Sequence, residues 1–202
     1  MKIGFVDVDS HNWPNLCLMK LSAYHKAQGD SVEWWKPEGW YDVVYKSRVF
    51  TDTYSKDTFM VENAGEVIRG GTGYGLKENL PDAVEHSYPD YSLYPQFPDT
   101  AYGFLSRGCP RNCGFCIVSG KEGRRSVQVA DLSEFWDGQK VVLVYKCGQE
   151  KLNNLYYQVK EQRRCSTWRR TKNLTLRNLN SRLWICIMPE EPRIQNWNVN
   201  MA

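Results

Sequence analysis

A chain of 202 residues is long enough to bury a real core, as one large or two small domains, and 42% hydrophobic with 24% charged residues excludes a disordered or fibrous composition. No run approaches the roughly 18 consecutive apolar residues of a membrane span, and the opening MKIGFVDVDSHN is acidic where a secretory signal is apolar, so the expected compartment is the cytoplasm. The net charge of +3 conceals a division: residues 1–144 carry 15 basic and 19 acidic side chains, residues 145–202 carry 11 and 4.

In chain order, IGFVDVD at residues 3–9 reads as a buried strand of a parallel sheet. The stretch from Asn15 to Gln28 spaces Leu16, Met19, Ala23 and Ala27 as on a helix, with Asn12 or Asn15 as cap, Pro14 near the first turn and Gly29 beyond the end. VEWW and YDVVYKSRVF predict two more strands, and Glu66 to Ile68 runs into GGTGYG at residues 70–75. The order β, α, β, β predicts an α/β fold with a Rossmann-like domain over residues 1–80. Residues 81–100 form a Tyr/Pro-rich linker whose four prolines favour extended backbone and whose tyrosines imply packing along a surface. Residues 101–144 then read as strand AYGFLS, a cysteine loop, a helix opened by a capping box of Asp131 and Glu134 and ended by Gly138, and the strand KVVLV.

The loop RGCPRNCGFC places Cys109, Cys113 and Cys116 at C-x3-C-x2-C spacing. Gly108, Pro110 and Gly114 are expected to curl the backbone so that the three sulfurs face inward. Seven cysteines is an odd number, and without a secretory signal it favours reduced thiols and metal ligation over a disulfide framework. A structural zinc normally takes a fourth Cys or His from a second short pair, which is missing here, so zinc is the less favoured metal. Three thiolates can hold a [4Fe-4S] cube with one iron open to another ligand.

GCPRNCGFC, with Phe115 before the third cysteine, resembles the cluster loop of radical S-adenosylmethionine enzymes. The strand before it and the α/β segment in front resemble those relatives whose N-terminal domain is like a B12-binding (cobalamin-binding) domain; the resemblance covers residues 1–144. It implies a [4Fe-4S] cluster on Cys109, Cys113 and Cys116, S-adenosyl-L-methionine on the open iron, and adenine near the backbone of Gly114 and Phe115. It further implies an electron donor such as flavodoxin or ferredoxin, reductive cleavage of the sulfonium, and a 5′-deoxyadenosyl radical that takes hydrogen from a substrate. Lys121, Arg124 and Arg125 are candidates to meet the carboxylate of S-adenosylmethionine, or else a solvated surface loop.

Three further features carry alternatives. Asp9-Ser10-His11 stands where B12-binding relatives have D-x-H-x-x-G, but Pro14 replaces the glycine, and a polar loop at a strand end is the simpler reading. GGTGYG falls short of a dinucleotide fingerprint and reads as a turn. Cys17 reads as a small buried apolar residue in the first helix. Residues 145–202 have no Asp, eight Asn and seven Arg, and lack the βα units with which a radical S-adenosylmethionine barrel continues, so a shifted reading frame near residue 144 and an incomplete, truncated barrel are expected. That aberrant tail is expected to be poorly ordered and to hold no fixed structure, with LYYQVKE making a transient helix and LWICIM, residues 183–188, a short sticky strand prone to self-association. The competing readings are an RNA-binding extension with Arg163, Arg164, Arg169 and Arg170 around Trp168, and a non-enzymatic protein in which zinc or an iron–sulfur cluster staples the loop.

Overall fold

The computed structural model describes residues 1–10, 13–111, 113–114, 116–139 and 141–145, together with the strands at 175–177 and 184–188. Strands β1 (Lys2–Asp7), β2 (Ser31–Trp34), β3 (Tyr41–Ser47) and β4 (Ala64–Gly70) form a parallel sheet in the order β2-β1-β3-β4. The fold is thus α/β, as the sequence predicts. Helix α1 (Leu16–Ala27) connects β1 to β2. Of the two candidate caps, Asn15 is the one that closes the helix, its side-chain oxygen accepting from the Leu18 amide at 3.4 Å. His25 and Lys26 occupy the last turn, where positive charge suits the exposed carbonyls.

The two faces of this sheet are covered differently. Ile3, Phe5 and Val43 meet Leu18, Met19 and Leu21 of α1, and the same cluster takes in Val84, Leu93 and Tyr94 from the linker. Burying each large apolar side chain contributes about 1.5 to 3 kcal/mol, several times an exposed ion pair at about 0 to 1 kcal/mol, so this cluster holds the linker down. The other face gathers Val6, Tyr41 and Val44 under Trp35 and Val61, which belong to helix-free connections. The ring of Tyr41 also lies where a Cβ on Gly4 would stand, 2.9 Å away.

The linker is therefore ordered, and its tyrosines pack as their number implies. It forms a short helix α2 (Asp82–Glu85) and a 3₁₀ turn, Tyr91–Leu93. The Tyr94 hydroxyl donates to Asp7 Oδ2 at 2.7 Å, and the Tyr91 hydroxyl accepts from the Tyr102 amide at 3.1 Å while donating to the Phe135 carbonyl. Asp90 ties the linker to α1 by accepting from Ser22 Oγ at 2.5 Å and Lys26 Nζ at 2.6 Å. Burial pushes this carboxyl up, but bonds from Lys26, Ser22 and Ser92 outweigh it and hold it below the ordinary aspartate range. A depressed folded value contributes stability above the unfolded value of about 3.9 and loses it as pH falls through the folded one. Thermal melts should accordingly show Asp90→Asn less stable than the parent at pH 7, with the difference disappearing on acidification below that range. A difference that persists undiminished into acid would contradict this role.

The second half begins with β5 (Thr100–Phe104) and β6 (Ser106–Arg107), passes the cysteine loop and α3 (Val118–Lys121), and returns through β7 (Val127–Gln128) to β8 (Val141–Tyr145). The capping box forms, with reciprocal Asp131 and Glu134 bonds, yet it opens only the 3₁₀ turn Leu132–Glu134 and not the predicted helix. The reason is packing: Leu132, Phe135 and Trp136 are all buried, and the Phe135 ring lies 2.3 Å from where a Cβ on Gly103 of β5 would stand. A tight turn puts those three apolar side chains inward in one step.

Strands β5 and β8 pair in parallel, β8 pairs in parallel with β10 (Trp184–Met188), and β9 (Thr175–Arg177) runs antiparallel to β10. Strand β10 falls within the LWICIM stretch, and its neighbour is β8 of the same chain. The stretch LYYQVKE and the arginines around Trp168 lie outside the described residues.

Candidate functional site

The cysteine loop is closed by a neck. Strands β6 and β7 pair antiparallel, Ser106 with Gln128 and Arg107 with Val127. Just inside that ladder the Gly108 amide donates to Glu122 Oε2 at 3.1 Å, and the Cys109 amide donates to the Gly123 carbonyl at 3.0 Å. Gly108 has φ +86°, and a Cβ on it would lie 2.1 Å from the Arg125 carbonyl oxygen, so only glycine fits where the two sides of the neck meet.

Ion pairs extend from the neck to the first sheet's helix. Arg107 donates to Glu122 Oε1 at 2.9 Å and to Glu85 Oε1 at 3.3 Å, and Lys20 of α1 meets the same Glu85 oxygen at 3.1 Å. The Arg107 guanidinium lies over the Phe104 ring, 4.4 Å from its centre. Cys17 belongs to this neighbourhood: its half-buried thiol is pushed up in pKa by desolvation first and by the Glu85 charge second, with Arg107, Lys20 and Lys121 opposing. The Ser106 hydroxyl, three residues before Cys109, is buried without a hydrogen-bond partner.

The three predicted sulfur ligands differ in exposure. Cys109 is buried at the neck, Cys113 is exposed beyond it and Cys116 is half-buried. Among the described residues no three Cys, His, Asp or Glu side chains are gathered around one point. The Cys109 amide is held by the neck, and Pro110 and Arg111 after it are exposed. Gly108 makes the turn the sequence asks of it. Gly114 stands in open space with no contact within 4 Å of a built Cβ, so neither strain nor crowding requires glycine there. Phe115 lies outside the described residues, and Arg124 and Arg125 are exposed. As chemistry, three soft thiols within eight residues are donors of the kind an iron–sulfur cluster takes, so the residue types fit such a group.

Two secondary motifs have structural roles. GGTGYG wraps Arg48: this buried guanidinium donates to the Gly73 carbonyl and Asp52 and lies 4.4 Å above the Tyr74 ring. The loop's own amides are used internally, Gly73 to the Arg48 carbonyl at 2.9 Å and Tyr74 to the Gly71 carbonyl at 3.1 Å. They are not presented to a phosphate, which supports the turn reading. Gly71 has φ +93°, and its Cβ would lie 2.3 Å from the Arg48 carbonyl oxygen. Thr72 of this loop accepts from Lys121 Nζ at 3.0 Å, so Lys121 is a bridge between the glycine loop and α3. Sequence reasoning misses Arg48, Glu85, Arg107 and Glu122, since nothing in their spacing announces that they meet.

Asp9 is nearly fully buried and accepts from the Val49 amide at 2.9 Å and the Phe50 amide at 2.8 Å, which fastens the turn after β3. His11 lies outside the described residues. Asp9→Ala should cost about 2 to 3 kcal/mol, because two amides lose a charged acceptor. The urea midpoint checks this, and a change inside the error of the parent would show that Asp9 does not hold the turn.

A cleft of about 300 Å³ lies between Val67 and Arg69 of β4 and the segment from Asp57 to Glu62. Its buried cation, Lys46, is already paired with Asp57 at 2.6 Å and donates to the Phe59 carbonyl at 2.6 Å. None of the predicted ligand residues lines it. No helix among the described residues is long and apolar enough to cross a membrane. No protein-family model matches the chain, and neither a curated protein nor a solved structure matches it, so the chemistry of the cysteine loop rests on its own residues.

Proposed function

We propose that the chain is a radical S-adenosylmethionine protein whose loop takes a [4Fe-4S] cluster on Cys109, Cys113 and Cys116. The observation that carries this reading is the C-x3-C-x2-C spacing on a loop placed directly after a parallel strand and its short extension, β5 and β6. In the same reading the first sheet is a Rossmann-like, B12-binding-like domain without cobalamin, and β5 and β8 are the opening strands of a radical S-adenosylmethionine barrel. When bound, the cluster with S-adenosylmethionine supplies reductive cleavage of the sulfonium and a 5′-deoxyadenosyl radical for hydrogen abstraction.

The chain's own residues supply attachment and support. Glu122 holds Gly108, and through it the backbone at the first thiol, while Arg107 and Glu85 brace that carboxylate against α1. Gly114 and Arg124 stand at the exposed side of the loop, suited to meet the adenine edge and the carboxylate of S-adenosylmethionine. Anaerobic reconstitution of the reduced chain with iron and sulfide tests the proposal. The expected product is brown, with an EPR spectrum of the reduced cluster that changes on adding S-adenosylmethionine. A colourless protein that retains zinc instead would overturn it in favour of a structural staple.

A further inference from the structure

We infer that Cys113 and Cys116 form a dithiol that closes to an intraloop disulfide in the metal-free chain, with Cys109 left out. The Cys116 amide donates to the Cys113 carbonyl at 3.0 Å, the i to i+3 bond of a tight turn. The ends of such a turn lie within about 7 Å at Cα, and a disulfide takes Cα atoms about 4.4 to 6.8 Å apart. The turn thus limits the two Cα atoms to a separation that overlaps the range a disulfide spans. Cys109 is in a different position: it is buried, its amide is held by Gly123, and the glycine before it is held by Glu122. Joining it to either partner requires opening the neck.

Exposure sets the order of events. Cys113 is the exposed thiol and Cys116 the half-buried one. With a low-molecular-weight disulfide such as oxidised glutathione, the Cys113 thiolate attacks one sulfur, the glutathione S–S bond breaks, and one glutathione thiolate leaves. The Cys116 thiolate then attacks Cys113 Sγ and expels the second glutathione. The cysteine pair loses two electrons and two protons, and oxidised glutathione becomes two molecules of the reduced thiol. The turn geometry makes the second step intramolecular and fast relative to release of the mixed disulfide.

The inference does not rest on the cluster reading, because it concerns only the thiols and the turn. The full chain, freed of metal by a chelator, is incubated with oxidised glutathione, alkylated and digested with trypsin. Cys113 and Cys116 fall in one peptide, Asn112 to Lys121, and Cys109 in another. The expected result is that the first peptide takes no alkyl group and is lighter by two hydrogens, while Cys109 and Cys17 are alkylated. In Cys116→Ser the expected product is glutathione retained on Cys113. A disulfide containing Cys109 or Cys17, glutathione retained on Cys113 of the parent, or full alkylation of both loop thiols would each overturn the inference. Reduction followed by iron and sulfide tests the cluster separately, so failure of one does not read as failure of the other.

Discussion

Replacing any one of Cys109, Cys113 or Cys116 by Ala is expected to abolish the iron–sulfur absorption of the reconstituted protein. Two remaining thiolates cannot retain a cube that also keeps an iron open, so the effect is loss and not attenuation. Cys17→Ala is expected to leave the spectrum intact, since that thiol sits on α1 among Lys20, Glu85 and Arg107 and belongs to the supporting charge network. The same holds for Cys147, Cys165 and Cys186, of which the first two lie outside the described residues and the third falls in β10. The measurement is iron and sulfide content per chain with the visible spectrum. Loss of the cluster in Cys165→Ala with the loop intact would overturn the ligand assignment.

Gly108→Ala should be the most damaging single methyl in this loop. At φ +86° any other residue is strained by about 1 to 3 kcal/mol, and here the added Cβ also meets backbone, 2.1 Å from the Arg125 oxygen and 3.0 Å from the Glu122 oxygen. Backbone cannot rotate away as a side chain can, so the neck must separate. That movement removes the Gly108–Glu122 and Cys109–Gly123 bonds as well, for a total of about 3 kcal/mol or more. Gly123→Ala is the matched control. Its φ of +91° carries the same conformational strain, but nothing lies within 4 Å of the new Cβ, so the expected cost is only about 1 kcal/mol. Urea unfolding of the two variants compares them, and alkylation of Cys109 should accelerate only in Gly108→Ala. Equal stability of the two would show that the close approach at the neck does not matter.

The parallel strands of the first sheet, α1 with its Asn15 cap, and the strands on either side of the cysteine loop are readable from the sequence. Each is announced locally, by a β-branched run, a helical spacing or a capping residue, within a window of a few residues. The cysteine spacing is equally plain. The helix expected after Asp131 fails because the capping box specifies how a turn begins and not how long it continues. Its length is decided by Leu132, Phe135 and Trp136 finding a buried site against Gly103, a contact across about thirty residues that local pattern does not encode.

The same distinction governs the site. Sequence by itself determined the three cysteines, their spacing and the glycine before the first of them, because those are local and chemical. Tertiary structure alone decided that Glu122 reaches back to Gly108, that Arg107 and Glu85 join the neck to α1, and that Lys121 is taken by Thr72. It also decided the backbone bonds at the cysteines: the Cys116 amide reaches the Cys113 carbonyl, while the Cys109 amide is held at the neck by Gly123. Ion pairs and hydrogen bonds between residues far apart in the chain have no periodicity, and their partners become neighbours only after the apolar clusters have set the two sheets and the linker in place. That is why the cysteine spacing could be read from one line of sequence and the bonds around it could not.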